Sequence, residues 1–291
     1  MSIVLPFTLE FDRFRLELGP QTCIMGILNA TPDSFSDGGK FNTFETAVSQ
    51  GIKLADDGAH ILDIGGESTR PFATPVSEQE ELDRIIPIIE NLSKQIDVPI
   101  SIDTVKSVVA KEALNAGAAI INDISAFEKD PAMADLAAQR DVPVVLMHMK
   151  GTPETMQVSP DYDDLMLEIT NYFESRVAYA MKKGIQKKRI ILDPGIGFGK
   201  TVEHNLVLIN HLEKITALGF PVLMGPSRKS FIQNILIKNN KTPVEPDNIK
   251  TEDGSLAAAA ASILNGAHII RVHDVEKVKP FTLIIDSIRN A

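Results

Sequence analysis

Eight short runs rich in β-branched and apolar residues, each followed by a polar turn and then by a segment of helical periodicity, predict a (β/α)8 barrel. Two further observations point the same way. Each connection is long enough to hold a helix, so successive strands must pair in parallel. A chain of 291 residues, 44% of them hydrophobic, is also enough to fill one such barrel as a single domain. An open doubly wound sheet is the alternative architecture.

The elements follow in order. FTLEFDRFRLEL alternates apolar and polar residues around Asp12 and Arg13, so residues 1–20 are expected to form a β-hairpin closing the bottom of the barrel. Strands are expected at about 22–29, 60–65, 99–103, 119–124, 143–148, 189–193, 221–225 and 268–273. Between them, Asn42 with Glu45 and Ser77 with Glu80 have the spacing of capping boxes. After Ser77, the residues Leu82, Ile85, Ile86 and Ile89 mark an apolar helix face, which Pro87 should kink. Residues 161–183 carry Leu165, Ile169, Tyr172 and Val177 on a helical period and stop at Gly184, a residue suited to a left-handed cap. Residues 255–265 are alanine-rich and should pack tightly on their strand. Residues 238–253, with Pro243 and Pro246, read as a polar loop within the domain.

Composition limits the function. A formal net charge of −10 without a basic stripe argues against nucleic acid as a partner. No apolar run approaches the ~20 residues that cross a bilayer, and MSIVLPFTLE lacks the pattern of a signal peptide, so no membrane association and a cytoplasmic location are expected. The single cysteine, Cys23, excludes an internal disulfide and reads as a small buried strand residue.

In a barrel the C-terminal strand ends meet at one catalytic face. Here those ends carry Asn29, the loop GGESTRP, Asp103, Asn122 with Asp123, His148, Asp193, the turn PSRKS, and Arg271 with His273. Singly, each has a plain structural reading. Asp103 could cap the helix at TVKSVVA, Asp193 could form the DPG turn, Asn122 could be a turn residue, Lys229 a helix-end cation and His148 a core histidine. Their coincidence at one rim is what those readings leave unexplained. Asp103, Asn122, Asp193 and Lys229 together offer carboxylate and amide acceptors, amide donors and a cation, which suits a flat heterocycle such as a pterin or a guanine. Arg70, Arg271 and His273 form an anion site, and Asn29 adds a neutral oxygen ligand of the kind Mg²⁺ accepts beside phosphate oxygens. HxH and CxxC spacings, which would indicate zinc, are absent.

With these residues in view, the chain resembles the dihydropteroate synthase family of the folate pathway. The resemblance rests on MGILNATPDSFSDGG, DIGGESTRP, SIDTVK, INDIS, LMHMKGTPETMQ, ILDPGIGFGKTVEHN, GPSRKSFI, GSLAAAAA and IIRVHDV, in family order over nearly the whole chain. It implies a TIM barrel that condenses 6-hydroxymethyl-7,8-dihydropterin diphosphate with 4-aminobenzoate, and a cytoplasmic homodimer inhibited by sulfonamides. It also implies that Asp103, Asn122, Met147, Asp193, Phe198 and Lys229 hold the pterin. Asn29, Thr69, Arg70, Arg271 and His273 would hold the diphosphate, with Mg²⁺ at Asn29. Thr69, Arg70, Pro71, Phe198, Ser227 and Lys229 would form the aminobenzoate pocket. On this reading residues 30–39 fold over the site, Asp33 meets the developing cation and Phe35 excludes water, so that Asp33, Phe35, Arg70, Asp103 and Lys229 carry the chemistry.

Three other functions fit less well. A Schiff-base lyase would need Lys229 to lose its proton, and an arginine-flanked turn gives it little reason to do so. A pterin-binding methyltransferase would not need Arg271, His273 or the SRKS turn. A barrel that binds pterin without catalysis would be expected to lack some functional residue.

Overall fold

The computed structural model describes residues 4–31, 40–68, 75–152, 156, 160–240 and 248–291. Strands β1 (Phe7–Phe11) and β2 (Phe14–Leu18) form an antiparallel hairpin, with Phe7 opposite Leu18 and Phe11 opposite Phe14. Asp12 takes the left-handed conformation at φ 48° in the turn, which a short polar side chain tolerates.

Eight strands then alternate with helices. They are β3 (Cys23–Asn29), α1 (Lys40–Asp56), β4 (Ile61–Gly65), α2 (Glu78–Leu92), β5 (Ile100–Asp103), α3 (Ser107–Ala116), β6 (Ile120–Asp123), α4 (Ala132–Arg140), β7 (Val144–Met147), α5 (Leu165–Lys182), β8 (Ile190–Asp193), α6 (Val202–Asn210), α7 (Glu213–Thr216), β9 (Leu223–Met224), α8 (Ser230–Asn240), α9 (Ile249–Leu264), β10 (Ile269–Val272) and α10 (Val275–Arg289). The strands pair in parallel in the order β8-β7-β6-β5-β4-β3-β10-β9. The two ends meet: Leu192 bridges Val222, and its N–H donates to the Pro221 carbonyl at 2.9 Å. The sheet is thus a barrel and not the open doubly wound alternative.

Local sequence chemistry explains most boundaries. Ser77 caps α2 by accepting from the Glu80 N–H, and Gly184 ends the α5 segment in the left-handed region at φ 99°. Three expectations need correction. Helix α1 begins at Lys40, so Asn42 lies inside it and is not its cap. Residues 161–164 precede α5, because Asp164 caps it by accepting from the Leu167 N–H. The stretch 238–253 is not a loop throughout: 238–240 complete α8 and 249–253 open α9, while 241–247 lie outside the described residues. Asn248 caps α9, and the polar first turn is useful there because Glu252 pairs with Arg228.

Strand alternation divides the barrel interior into two layers. At the N-terminal end the inward positions are Cys23, Met25, Ile61, Ile120, Val145, Ile191, Leu223 and Ile269, which pack with Leu9, Phe11 and Leu18 of the hairpin in one core cluster. The expected plug is therefore in place. It is tied down by His268 Nε2 at 3.0 Å from the Leu5 carbonyl and by Arg189, which donates to the Glu10 carbonyl. The alternate outward positions, including Ile24, Leu28, Leu62, Ile64, Ile100, Ile102, Leu146 and Leu192, bury against the helices in the main core. Two to four residues further along six of the eight strands the inward positions turn polar, while β7 continues with Met147.

Candidate active site

The polar layer is the continuation of the apolar one on the same faces. Stepping by two along each strand leads from Met25 to Asn29, Ile61 to Asp63, Ser101 to Asp103, Ile120 to Asn122, Ile191 to Asp193, and Ile269 to Arg271. Register puts Asn29 beside Gly65, Gly65 beside Asp103, and Asp103 beside Asn122. Met147 lies level with Asp193. Polar groups from different strands are thereby brought to one end of one barrel.

Arg271 organises this layer. Its Nε donates to Asp63 Oδ2 at 2.6 Å, and its Nη2 donates to Asp103 Oδ2 at 2.8 Å. Asn122 Nδ2 donates to the same Asp63 oxygen at 3.1 Å. Asp63 is fully buried and was not among the residues singled out from the sequence, although it occupies the inward position of β4 two residues before Gly65. Burial raises the Asp103 carboxyl above the usual carboxylate range, while Arg271 pulls it down and Asp63, Glu81 and Asp123 push it further up. Burial likewise raises Asp193, against the Gly195 N–H, which donates to its Oδ1 at 2.7 Å, and against Lys229, Arg271 and Lys200.

Lys229 enters from the turn before α8. Its ammonium stands 4.1 Å from the centroid of the Phe198 ring, and burial, reinforced by Arg271, lowers its pKa to about 8 against the pull of Asp193 and Asp103. The flanking arginine of the SRKS turn does not keep this lysine in an ordinary setting, contrary to the sequence expectation: Arg228 turns away to Glu252 of α9. The turn is held in place by Arg228 at φ 58°, whose N–H donates to Ser255 Oγ at 3.0 Å. Ser227 Oγ lies 2.9 Å from His273 Nδ1, so two groups assigned to different subsites adjoin each other. Phe198, Met147, Ile124 and Met156 form a small apolar cluster at the mouth, separate from the main core. It offers a face for a flat ring beside the hydrogen-bonding groups.

Two rim residues have other employment. Asp123 lies on the outward parity of β6 and accepts from Ser125 N, Ser125 Oγ and Phe127 N, so it builds a turn. His148 is buried beside Tyr172, with Nδ1 3.1 Å from Lys200 Nζ, and burial together with Lys200 lowers its pKa to about 2. It is a neutral core histidine. Lys200, also buried and also absent from the sequence assignment, has its pKa lowered to about 7 by burial and donates to the Phe198 carbonyl at 3.0 Å. Asp33, Phe35, Thr69, Arg70 and Pro71 lie outside the described residues. Among the described residues no group of three or more His, Cys, Asp or Glu forms a metal cage, and no helix is long and apolar enough to cross a membrane.

Comparison with known proteins finds relatives of the same fold along nearly the whole chain. A family model described as pterin binding enzyme matches residues 25–273. A dihydropteroate synthase from Synechocystis sp. is 46% identical over 288 residues, 99% of this chain and 97% of that protein. A Yersinia pestis dihydropteroate synthase, solved in complex with a sulfonamide drug, superposes with a TM-score of 0.90 at 43% identity over 98% of this chain and 100% of that one. One from Xanthomonas albilineans, solved with 4-aminobenzoic acid, gives 0.89 at 41% identity over 99% and 100%.

Proposed function

The chain belongs to the dihydropteroate synthase family of pterin-binding enzymes, and from that membership and the site geometry we infer a transferase of folate biosynthesis. It condenses 6-hydroxymethyl-7,8-dihydropterin diphosphate with 4-aminobenzoate to give dihydropteroate and diphosphate. The carrying observation is the convergence of Asp63, Asp103, Asn122, Asp193, Lys229 and Arg271 from different strand ends on the inner face of one barrel mouth.

The ring edge of a pterin presents parallel N–H donors, which Asp193 accepts, and a carbonyl, to which Lys229 donates. Asp103 and Asn122 meet the remaining ring nitrogens, with Met147 and Phe198 against its face. Arg271, already paired with Asp63 and Asp103, sits where ring and diphosphate join, and His273 with Asn29 takes the diphosphate side. We propose that the carbon–oxygen bond breaks before the amine attacks: the carboxylates stabilise positive charge on the ring while the cations take up charge on the leaving oxygens. The carried-over roles of Asp33, Phe35, Thr69, Arg70 and Pro71 belong to the same proposal.

Mg²⁺ is part of it as well. Asn29 ends β3 half-buried and supplies a single neutral oxygen, a donor set that suits an ion held mainly by diphosphate oxygens and water. When bound, that ion would neutralise the departing diphosphate. Sulfonamides are expected to compete with 4-aminobenzoate between Phe198 and the Ser227 turn. A cytoplasmic homodimer completes the proposal. The supporting feature for the dimer is an apolar groove of about 630 Å³ between α6, α8 and α9, where Leu206 and Val207 are 46% and 40% exposed. Diphosphate release measured with both substrates, with and without Mg²⁺, tests the assignment. Dihydropteroate formed in step with diphosphate when both substrates are present supports it, and continued diphosphate release with both substrates but without dihydropteroate would refute it.

A further inference from the structure

A second polar constellation lies beside the ring-binding set, in a cavity shared with Asp103. Lys106 stands just before α3, and its ammonium makes three hydrogen bonds: to Glu67 Oε2 at 2.7 Å, to the Val76 carbonyl at 2.8 Å and to Glu81 Oε2 at 2.6 Å. Glu67 and Val76 are far from each other in local sequence terms but lie on opposite sides of one connection, the one that leads from β4 into α2. Glu81 belongs to α2 and is fully buried. The near end of the connection is fixed a second time, because Arg84 Nη1 donates to the Gly66 carbonyl at 2.7 Å.

This arrangement is costly unless it has a purpose. Glu81 is a carboxylate with no exposed surface, and its Oε1 is buried without a hydrogen-bond partner. Packing demands alone would be met by an apolar pair, which avoids desolvating charge. An apolar pair could not hold a backbone carbonyl and a loop carboxylate together, whereas an ammonium with three donors can. The cluster also adjoins the site directly: Glu67, Glu81, Lys106 and Asp103 line a common cavity of about 350 Å³. Asp103, three positions before Lys106, is paired in register with Gly65, two positions before Glu67.

We propose that Lys106 is a positioning residue for the reaction: it ties both described ends of the β4–α2 connection, at Glu67 and Val76, to Glu81 of helix α2. The consequence falls on the side of the site served by that connection, the aminobenzoate side, and this part rests on the assignment of Thr69 and Arg70 given above. The pterin side is built from β4, β5, β6, β8 and β10, and its link to this cluster runs through Asp103, whose carboxyl Glu81 influences.

The test compares Lys106→Met, Lys106→Arg and Glu67→Gln, the last of which removes the charge from one arm and leaves the Lys106–Glu81 pair intact. Three readouts are taken: KM for 4-aminobenzoate against kcat, calorimetric affinity for 6-hydroxymethylpterin, and backbone hydrogen exchange at 66–68 and 75–77. Lys106→Met and Glu67→Gln are expected to raise KM for 4-aminobenzoate about tenfold or more, with pterin affinity changed less than about twofold, and Lys106→Arg is expected to recover most of the loss. Exchange at both ends of the connection should accelerate in Lys106→Met. Equal losses for both ligands, or unchanged KM with only a lowered Tm, would overturn the proposal and leave Lys106 a purely structural cation. Arg70→Ala, with Lys106 intact, separates the two readings. If it leaves KM for 4-aminobenzoate unchanged, the assignment of Arg70 is wrong, and exchange at the two ends alone then decides: acceleration in Lys106→Met upholds the tie, and no change overturns it.

Discussion

Lys229 is asked to stay charged in a place that discourages charge. With its pKa at about 8, it donates to a ring carbonyl fully at neutral pH and loses that ability above. The kcat/KM profile, which reports the free enzyme, should therefore carry an alkaline limb near pH 8, and Lys229→Arg should move that limb out of range while lowering the plateau. Stability should move the other way. A lysine whose charged form is disfavoured by folding binds fewer protons folded than unfolded between its folded pKa and its ordinary 10.5, so unfolding takes up protons there and stability rises with pH. Lys200 and Lys229 both act in this direction, and the urea midpoint should rise between about pH 7 and pH 9. Lys200→Met should flatten part of that rise; an unchanged slope would show that Lys200 keeps an ordinary proton affinity. At Asp193, substitution by Asn replaces an acceptor of two parallel N–H bonds with a group that has one oxygen. The expected loss in pterin affinity is about 100-fold by calorimetry, and an unchanged affinity would remove this carboxylate from the ring edge.

The turn after β8 shows how little room an element has to vary. Gly195 sits at φ 70°, and a Cβ there would stand 2.0 Å from the His148 carbonyl oxygen. Its N–H also holds Asp193, so the turn sets the carboxylate. Gly195→Ala should cost at least about 1–3 kcal/mol in denaturant unfolding through backbone strain alone, and should weaken pterin binding at the same time. At the opposite end, Leu9 is buried between the hairpin and the inward layer. Leu9→Ala should cost about 2–5 kcal/mol of stability and leave KM for both substrates nearly unchanged, since nothing of the hairpin reaches the mouth. These elements were legible to different degrees. β-strand runs and the hairpin could be read because alternation and turn chemistry are local. Helix α9 was partly missed because Thr251 and Glu252 look like loop residues until Arg228 is known to face them.

For the whole molecule, the placement of Asp103, Asn122, Asp193, Lys229 and Arg271 in one mouth follows from barrel topology, and the sequence motifs were enough to name them. Asp63 was not named, although the parity of ILDIG puts it inward; its role depends on Arg271 reaching across from β10, a contact between residues 208 positions apart. The neutral state of His148 was equally invisible, because Lys200 meets it only in the fold. The groove at α6, α8 and α9 belongs to this scale too. If two copies join there, Leu206→Asp should shift sedimentation from dimer to monomer, and unchanged sedimentation would direct attention away from that face. The hairpin beneath the barrel has one more consequence. Packed side chains and the hairpin fill the base, so incoming amine and outgoing diphosphate share the open rim. Traffic, and not only chemistry, then becomes a determinant of turnover, and added diphosphate should slow the enzyme by obstructing its own exit.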